Sequence, residues 1–179
     1  YPLRRQRQMC IRDRDTLMRV AAGLLILVIC SAWGFRRSLL LKRRCTLLRE
    51  LRLLVEQYSI EISCTAPTLA ELAGNSGGEF GRLLCECSGS ETDIRRAWSN
   101  AVDRLSAEPG CGGEEVSLLR ELGRELGTCP AESQLALLKL YSARFDKLIS
   151  AAEKSAEQQG RMYRSGGVLA GLGAAVMLL

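Results

Sequence analysis

The chain of 179 residues contains no histidine, and aromatic residues make up only 5% of it. Histidine is the commonest general base and a common metal ligand, so its absence removes the usual centre of hydrolytic sites and of mixed Cys/His zinc sites. The chain also lacks a Gly-x-x-x-x-Gly-Lys loop, which argues against nucleotide hydrolysis of that class. We therefore expect a protein that is not an enzyme and uses no cofactor.

Two glutamate pairs remain as candidates for acid/base chemistry, Glu114 with Glu115 and Glu121 with Glu125. Pairs of this kind are more often solvated faces of a helix than catalytic dyads. Glu114 and Glu115 also suit the first turn of a helix, next to the positive end of its dipole. We interpret both pairs as surface residues, and the sequence predicts no catalytic residue.

The eight cysteines do not form a recognisable metal or disulfide pattern; they lie at positions 10, 30, 45, 64, 85, 87, 111 and 129. There is no Cys-x-x-Cys, and zinc would need four thiolates from scattered segments. Cys85 and Cys87 are closest, but side chains two residues apart on a helix point in different directions. The sequence predicts reduced thiols that act as small hydrophobic residues, and no metal site.

The first 14 residues differ from the rest of the chain, because Met9-Cys-Ile-Arg-Asp-Arg14 is the translation of a common transposon sequencing adapter. We interpret residues 1–14 as a disordered artefact; a native basic tail is the alternative. This segment holds five arginines and one aspartate, so 20 basic and 19 acidic residues remain without it. A nearly neutral chain gives no support to nucleic-acid binding.

Long uncharged segments occur at both ends, and we predict membrane helices over residues 17–35 and 165–179. Val20–Phe35 is short of the roughly 20 residues that a bilayer needs, but Leu17, Met18 and a snorkelling Arg19 extend it. A cleavable signal peptide is the competing interpretation. Arg36 and Arg37 follow at once, which favours a retained anchor.

Basic residues at the junctions predict the orientation of residues 36–164. Arg36 and Arg37 follow the first segment, and Arg161 and Arg164 precede the second, so this domain should be cytoplasmic. We also predict Tyr163 to be a membrane-junction residue, because arginine and tyrosine side chains are common at bilayer interfaces.

The second segment contains a Gly-x-x-x-Gly pattern at Gly167 and Gly171, which lets membrane helices approach closely. It would pack either within a hairpin of the two segments or against a second copy of the chain.

Between the two segments, apolar residues recur three or four apart and no strand alternation occurs. The sequence predicts an all-α fold, a cytoplasmic bundle of about six helices carried between two membrane helices in a helical hairpin. Two helices should be long and four shorter, with a proline-started helix after Thr65 and a capping box at Ser90–Asp93. Trp98 should lie in the core, Gly123 in a close helix contact and Gly127 at a helix C-cap.

One mixed-charge patch is the candidate for partner binding, and it consists of Arg120, Glu121, Arg124 and Glu125 on a single predicted helix. A solvated stripe with no partner is the alternative.

Several short motifs occur in an order that resembles one protein family. They are Trp33-Gly-Phe35, Thr65-Ala-Pro67, Ala97-Trp98, Leu122-Gly-Arg-Glu-Leu-Gly127 and Gly160-Arg-Met-Tyr-Arg-Ser-Gly-Gly-Val-Leu-Ala-Gly-Leu-Gly173. Over residues 17–179 the chain resembles the stage III sporulation protein AB family. It departs from that family at Gly127-Thr-Cys-Pro130, where relatives more often carry an aspartate.

The resemblance implies a protein of the mother-cell membrane that surrounds the forespore in endospore-forming bacteria. It also implies a helical domain similar to that of the inner-membrane platform protein of type II secretion and type IV pilus systems. The implied partners are a secretion-type ATPase of the same system, other membrane components of the channel complex, and membrane lipid.

Two functions therefore remain open. The first is a non-enzymatic platform or scaffold that docks the ATPase at the membrane. The second is a membrane-tethered sensor or regulator that responds to lipid, or to a metal bound by the cysteines. A nucleic-acid-binding role is a weaker third because no basic face stands apart from the membrane junctions.

Overall fold

A computed structural model describes residues 3–65, 67–89 and 93–178, and within them the chain forms helices and no strand. The six helices are α1 (Leu3–Thr65), α2 (Leu69–Gly74), α3 (Gly78–Ser88), α4 (Ile94–Ala107), α5 (Gly113–Glu125) and α6 (Ala131–Leu178). The predicted all-α class, with two long and four shorter helices, is confirmed.

The chain divides into two compact units, and both boundaries lie inside long helices. The end unit consists of the residues up to Leu39 and from Ala156 onward, and the bundle unit consists of Leu40–Ser155. Both boundaries lie inside the domain that the sequence predicts at residues 36–164. Each of α1 and α6 contributes residues to both units.

Local details at three helix starts refine the predictions. α1 begins at Leu3, inside the segment that we interpret as an artefact. α2 has Thr68 as its N-cap, in a capping box with Glu71, and Pro67 therefore precedes the helix instead of lying in its first turn. Residues 90–92 of the predicted capping box lie outside the described residues, and the N-cap of α4 is Asp93, whose side chain accepts from the Arg95 amide.

The core of the bundle unit is built from the apolar stripes of its helices. The stripe predicted for α1 is confirmed, because Leu48, Leu51 and Tyr58 are almost fully buried. On α6 the residues Leu138, Tyr141, Phe145 and Ala152, which lie three, four or seven apart, are buried as well. A helix with one apolar stripe stabilises the fold mainly by removing that stripe from water, at about 25 cal/mol for each Å² buried.

Trp98 is a buried residue of this core and contacts aromatic rings of two other helices. Its ring centroid lies 5.0 Å from that of Phe80 on α3 and 6.4 Å from that of Tyr58 on α1. The indole N–H donates a buried hydrogen bond of 2.8 Å to the carbonyl of Leu119 on α5. The prediction that Trp98 is a core residue is confirmed, and the hydrogen bond satisfies the one polar group that its burial would otherwise leave unpaired.

Gly123 makes room for this tryptophan in the middle of α5. A Cβ atom built at Gly123 would overlap the Nε1 and Cδ1 atoms of Trp98. The prediction of close packing at Gly123 is therefore confirmed. Gly127 has a φ of 77° and follows Leu126, which is the C-cap of α5, so the glycine lies one residue beyond its predicted position.

An ion pair ties the start of α5 to α1. Glu115 is fully buried, and its carboxylate accepts from Arg44 Nε at 2.6 Å and from Nη2 at 2.9 Å. The prediction that Glu115 is a solvated surface residue is therefore wrong. The spacing of residues within α5 cannot show that an arginine of α1 packs against this glutamate. The bidentate geometry offsets the desolvation of the carboxylate, and the hydrogen bond to Glu115 raises the pKa of Arg44.

The seven cysteines from Cys30 to Cys129 form no disulfide, and they differ in exposure. Cys45 and Cys87 are buried, as expected of small hydrophobic residues, whereas Cys64, Cys85 and Cys129 are exposed. Burial, with the charge of Glu115, raises the pKa of the Cys111 thiol to about 11. No group of three or more Cys, Asp or Glu residues in the described part of the chain is arranged to hold a metal ion.

We expect Gly123→Ala to destabilise the bundle unit despite the better helix propensity of alanine. Overpacking typically costs about 1–3 kcal/mol, which exceeds the roughly 1 kcal/mol that alanine gains over glycine in a helix. Urea unfolding of residues 40–155, followed by the fluorescence of Trp98, would measure the change. Gly113→Ala on the same helix is the control, because nothing lies within 4 Å of its added Cβ. Equal stability of the two variants would contradict the packing role.

Candidate partner-binding surface

The four predicted partner-binding residues all lie on α5, but the structure divides them between two neighbouring helices. Glu121 accepts a 3.0 Å hydrogen bond from Arg144 of α6, and Glu125 accepts one of 3.1 Å from the hydroxyl of Tyr141. Arg120 pairs instead with Asp103 of α4 at 2.6 Å. Arg124 is exposed and forms no ion pair with another described residue.

Tyr141 of α6 lies where Glu121 and Glu125, the two acidic residues of the patch, contact α6. Its ring is buried, and the Arg144 guanidinium lies 5.3 Å from the ring centroid. Burial, together with the hydrogen bond to Glu125, raises the pKa of Tyr141, so its hydroxyl keeps the proton that it donates to the carboxylate. The two glutamates therefore hold α5 against α6, and the arginines remain on the side that faces α4.

The arginine side of α5 borders a cleft of about 130 Å³, which we call the arginine cleft. It is lined by Arg95, Trp98 and Ser99 of α4 and by Arg120, Gly123 and Arg124 of α5. Each helix contributes polar residues four positions apart, which places them on one helix face. Trp98 and Gly123 are the residues whose packing brings the two helices together at this point.

Arg95 and Ser99 are the residues that the sequence prediction missed. Their spacing on a predicted helix could have identified a polar face, but many exposed helix faces have the same spacing. The face of α4 that carries Arg95 and Ser99 differs from other polar faces because it lies opposite Arg120 and Arg124. That position depends on the packing of α4 against α5.

The predicted membrane-junction residues lie in the end unit. The rings of Trp33 and Tyr163 meet edge to face with centroids 6.5 Å apart, and the guanidinium of Arg37 lies 5.7 Å from the Trp33 centroid. Arg161 pairs with Glu157 of its own helix at 3.3 Å, and Arg164 donates to the Gly160 carbonyl at 3.1 Å. Arg36 is exposed. The aromatic pair thus joins residues of α1 and α6 within the end unit.

Glycines line the contact between α1 and α6 in the end unit. A Cβ at Gly167 would lie 2.8 Å from the Cys30 carbonyl oxygen, and one at Gly171 would lie 3.0 Å from the Leu27 Cα. On the other helix, a Cβ at Gly34 would overlap the Tyr163 carbonyl oxygen. Gly167 and Gly171 therefore both lie against α1 of the same chain.

By length and composition, one helix in the described part of the chain could cross a membrane, and it lies within Val20–Cys64 near the N-terminus. Among the described residues, α6 does not meet the same criteria of length and composition.

Comparison with known proteins identifies a family for the chain. A family model described as stage III sporulation protein AB matches residues 19–179. No curated protein and no solved structure matches the chain.

We expect Gly167→Leu to separate α1 from α6 in the end unit, because the larger side chain cannot fit where the two backbones touch. A disulfide between Gly23→Cys and Ala175→Cys, with the native cysteines replaced by alanine, would report the contact. The Cβ atoms of this pair lie 3.5 Å apart, which suits a disulfide.

The linked fraction, measured by mass spectrometry of the full chain in membranes, should fall by more than about half with Gly167→Leu. Gly166→Leu is the matched control, because nothing lies within 4 Å of a Cβ at that position. Equal crosslinking in both variants would show that this contact does not depend on Gly167.

Proposed function

The chain belongs to the stage III sporulation protein AB family, and from this we propose that it is a non-enzymatic membrane platform of a secretion-like channel complex. In this role it would dock a cytoplasmic secretion-type ATPase at the mother-cell membrane around the forespore. Membership of the family implies a role in sporulation; the platform function and the partner are our inference.

The arginine cleft is the observation that carries the docking proposal. It is an exposed concave surface formed by two packed helices, and two of its three arginines, Arg95 and Arg124, form no ion pair with a described residue. Arginine is enriched in protein interfaces because its planar fork forms several hydrogen bonds at once. Glu121 and Glu125 are engaged with α6, and Asp103 is paired with Arg120, so a partner would meet a mainly basic surface.

The chemistry of the cleft supports binding over catalysis. Its ionisable lining groups are arginines, which stay protonated in proteins and cannot serve as a general base. Ser99 lines the same cleft without a base in the lining to activate it as a nucleophile. A site of this composition can bind a negatively charged group of a partner without altering it chemically, and such binding is suited to docking.

We further propose that the chain crosses the membrane twice, with the bundle unit in the cytoplasm. The apolar part of α1 supports the first crossing. The glycine contact supports a second one, because close backbone approach is how membrane helices associate without a hydrophobic driving force. Trp33, Tyr163 and the nearby arginines are residue types that settle at the interface, and the arginines favour the cytoplasmic side.

Cysteine labelling should reveal this orientation. Cys64, Cys85 and Cys129 are exposed in the bundle unit, so a membrane-impermeant maleimide should label them in inside-out vesicles and spare them in right-side-out vesicles. Met177→Cys, in a chain without other cysteines, should show the opposite pattern. Labelling of position 177 from the same side as Cys129 would rule out two crossings.

Docking can be measured with the full chain in nanodiscs and the purified secretion-type ATPase of the same system. We expect a complex of micromolar affinity or better at low salt, which corresponds to roughly −8 kcal/mol of binding free energy. The affinity should decrease as salt is added, because exposed charges are screened. The chain alone should not hydrolyse ATP. Empty nanodiscs are the control, and a failure to bind at low salt would refute the platform function.

A further inference from the structure

The arginine cleft carries positive charge that the fold leaves uncompensated. Arg95 and Arg124 form no ion pair with any residue that the structure describes, and no carboxylate is among the described residues lining the cleft. Arg120 and Arg124 are also four apart on one helix, an arrangement of like charges that destabilises a helix by a few tenths of a kcal/mol. A bound anion would remove this repulsion.

The third arginine can exchange its partner. Arg120 pairs with Asp103 at 2.6 Å, but both side chains are exposed, at 44% and 60%. Exposed pairs of this kind contribute about 0–1 kcal/mol, so little opposes a switch of Arg120 to another carboxylate. All three arginines are therefore available to a ligand.

The size of the cleft restricts the ligand. Pockets for small molecules usually enclose about 300–1,000 Å³, and the arginine cleft encloses about 130 Å³. The cleft matches the carboxylates of one or two acidic side chains better than it matches a whole nucleotide. Each guanidinium can bind a carboxylate through two parallel hydrogen bonds, and the Ser99 hydroxyl adds another donor.

The floor of the cleft is held in place before any ligand arrives. Trp98 is fixed by its hydrogen bond to Leu119 and by its contact with Gly123. A prearranged surface loses less conformational entropy on binding, which favours affinity.

From these observations we propose that the arginine cleft is the docking site for an acidic segment of the partner protein; this inference rests on the proposed platform function for the identity of the partner. The arginines come from two helices, so two carboxylates at a defined spacing engage them more fully than one. A single chain segment rich in aspartate or glutamate supplies them. An anionic lipid headgroup is the other source of negative charge, and the experiment below separates it.

The test compares charge reversal inside and outside the cleft in the full chain. Arg95→Glu with Arg124→Glu changes the cleft, and Arg96→Glu with Lys147→Glu makes the same charge change at exposed positions that do not line it. Both variants are placed in phosphatidylcholine nanodiscs and in nanodiscs that also contain phosphatidylglycerol. Circular dichroism checks that they fold, and Arg95→Gln with Arg124→Gln provides a milder change.

Two probes are used, a fluorescent oligoglutamate peptide and the purified ATPase. In phosphatidylcholine nanodiscs, charge reversal in the cleft should weaken the affinity for both probes by about tenfold or more. It should also reduce the dependence of that affinity on salt. The affinity of the control variant should stay within about twofold of the unchanged chain. The glutamine variant should give an intermediate loss.

The outcomes separate this inference from the platform function. Cleft-dependent binding of the peptide without any binding of the ATPase would support the acidic-segment site and refute the platform function. Binding of the ATPase that reversal in the cleft leaves unchanged would overturn the acidic-segment site and leave the platform function intact. An effect seen only with phosphatidylglycerol would assign the cleft to lipid and overturn the inference. No cleft-dependent binding of either probe would overturn it too.

Discussion

The bundle unit depends on the packing of one tryptophan against one glycine. Trp98 of α4 occupies the space that a side chain at Gly123 of α5 would need, and its indole N–H donates to the Leu119 carbonyl. The same ring contacts Tyr58 and Phe80, so four helices meet at this residue. Because a protein core is close-packed, a shift of this ring would have to be shared by all four helices.

This packing also decides how the charges of α5 are distributed. With Gly123 turned toward α4, the flanking Arg120 and Arg124 border the cleft, and Glu121 and Glu125 reach α6. A patch that is mixed in sequence is therefore separated in space into an acidic side that stabilises the fold and a basic side that is open. The core contact and the proposed docking surface thus have a common structural cause.

Much of the fold could be predicted because helix periodicity and breakers are local signals. Spacings of three and four residues identified the buried faces of α1 and α6, because apolar residues at those spacings share one side of a helix. The extent of α1 toward Leu3 and the cap of α4 at Asp93 were not anticipated, since helix ends carry weaker signals than helix faces. The order of short motifs identified the family over nearly the whole chain.

The sequence by itself determined the helical class, the two long helices, the apolar character of α1 near its start, and the core position of Trp98, because each follows from residue type and spacing along one helix. Only the tertiary structure decided that Glu115 is buried against Arg44 and that Arg95 and Ser99 join the arginines of α5. It also placed Gly167 against α1 of the same chain. These contacts join residues far apart in sequence, and the spacing within one helix carries no information about which neighbour packs against it.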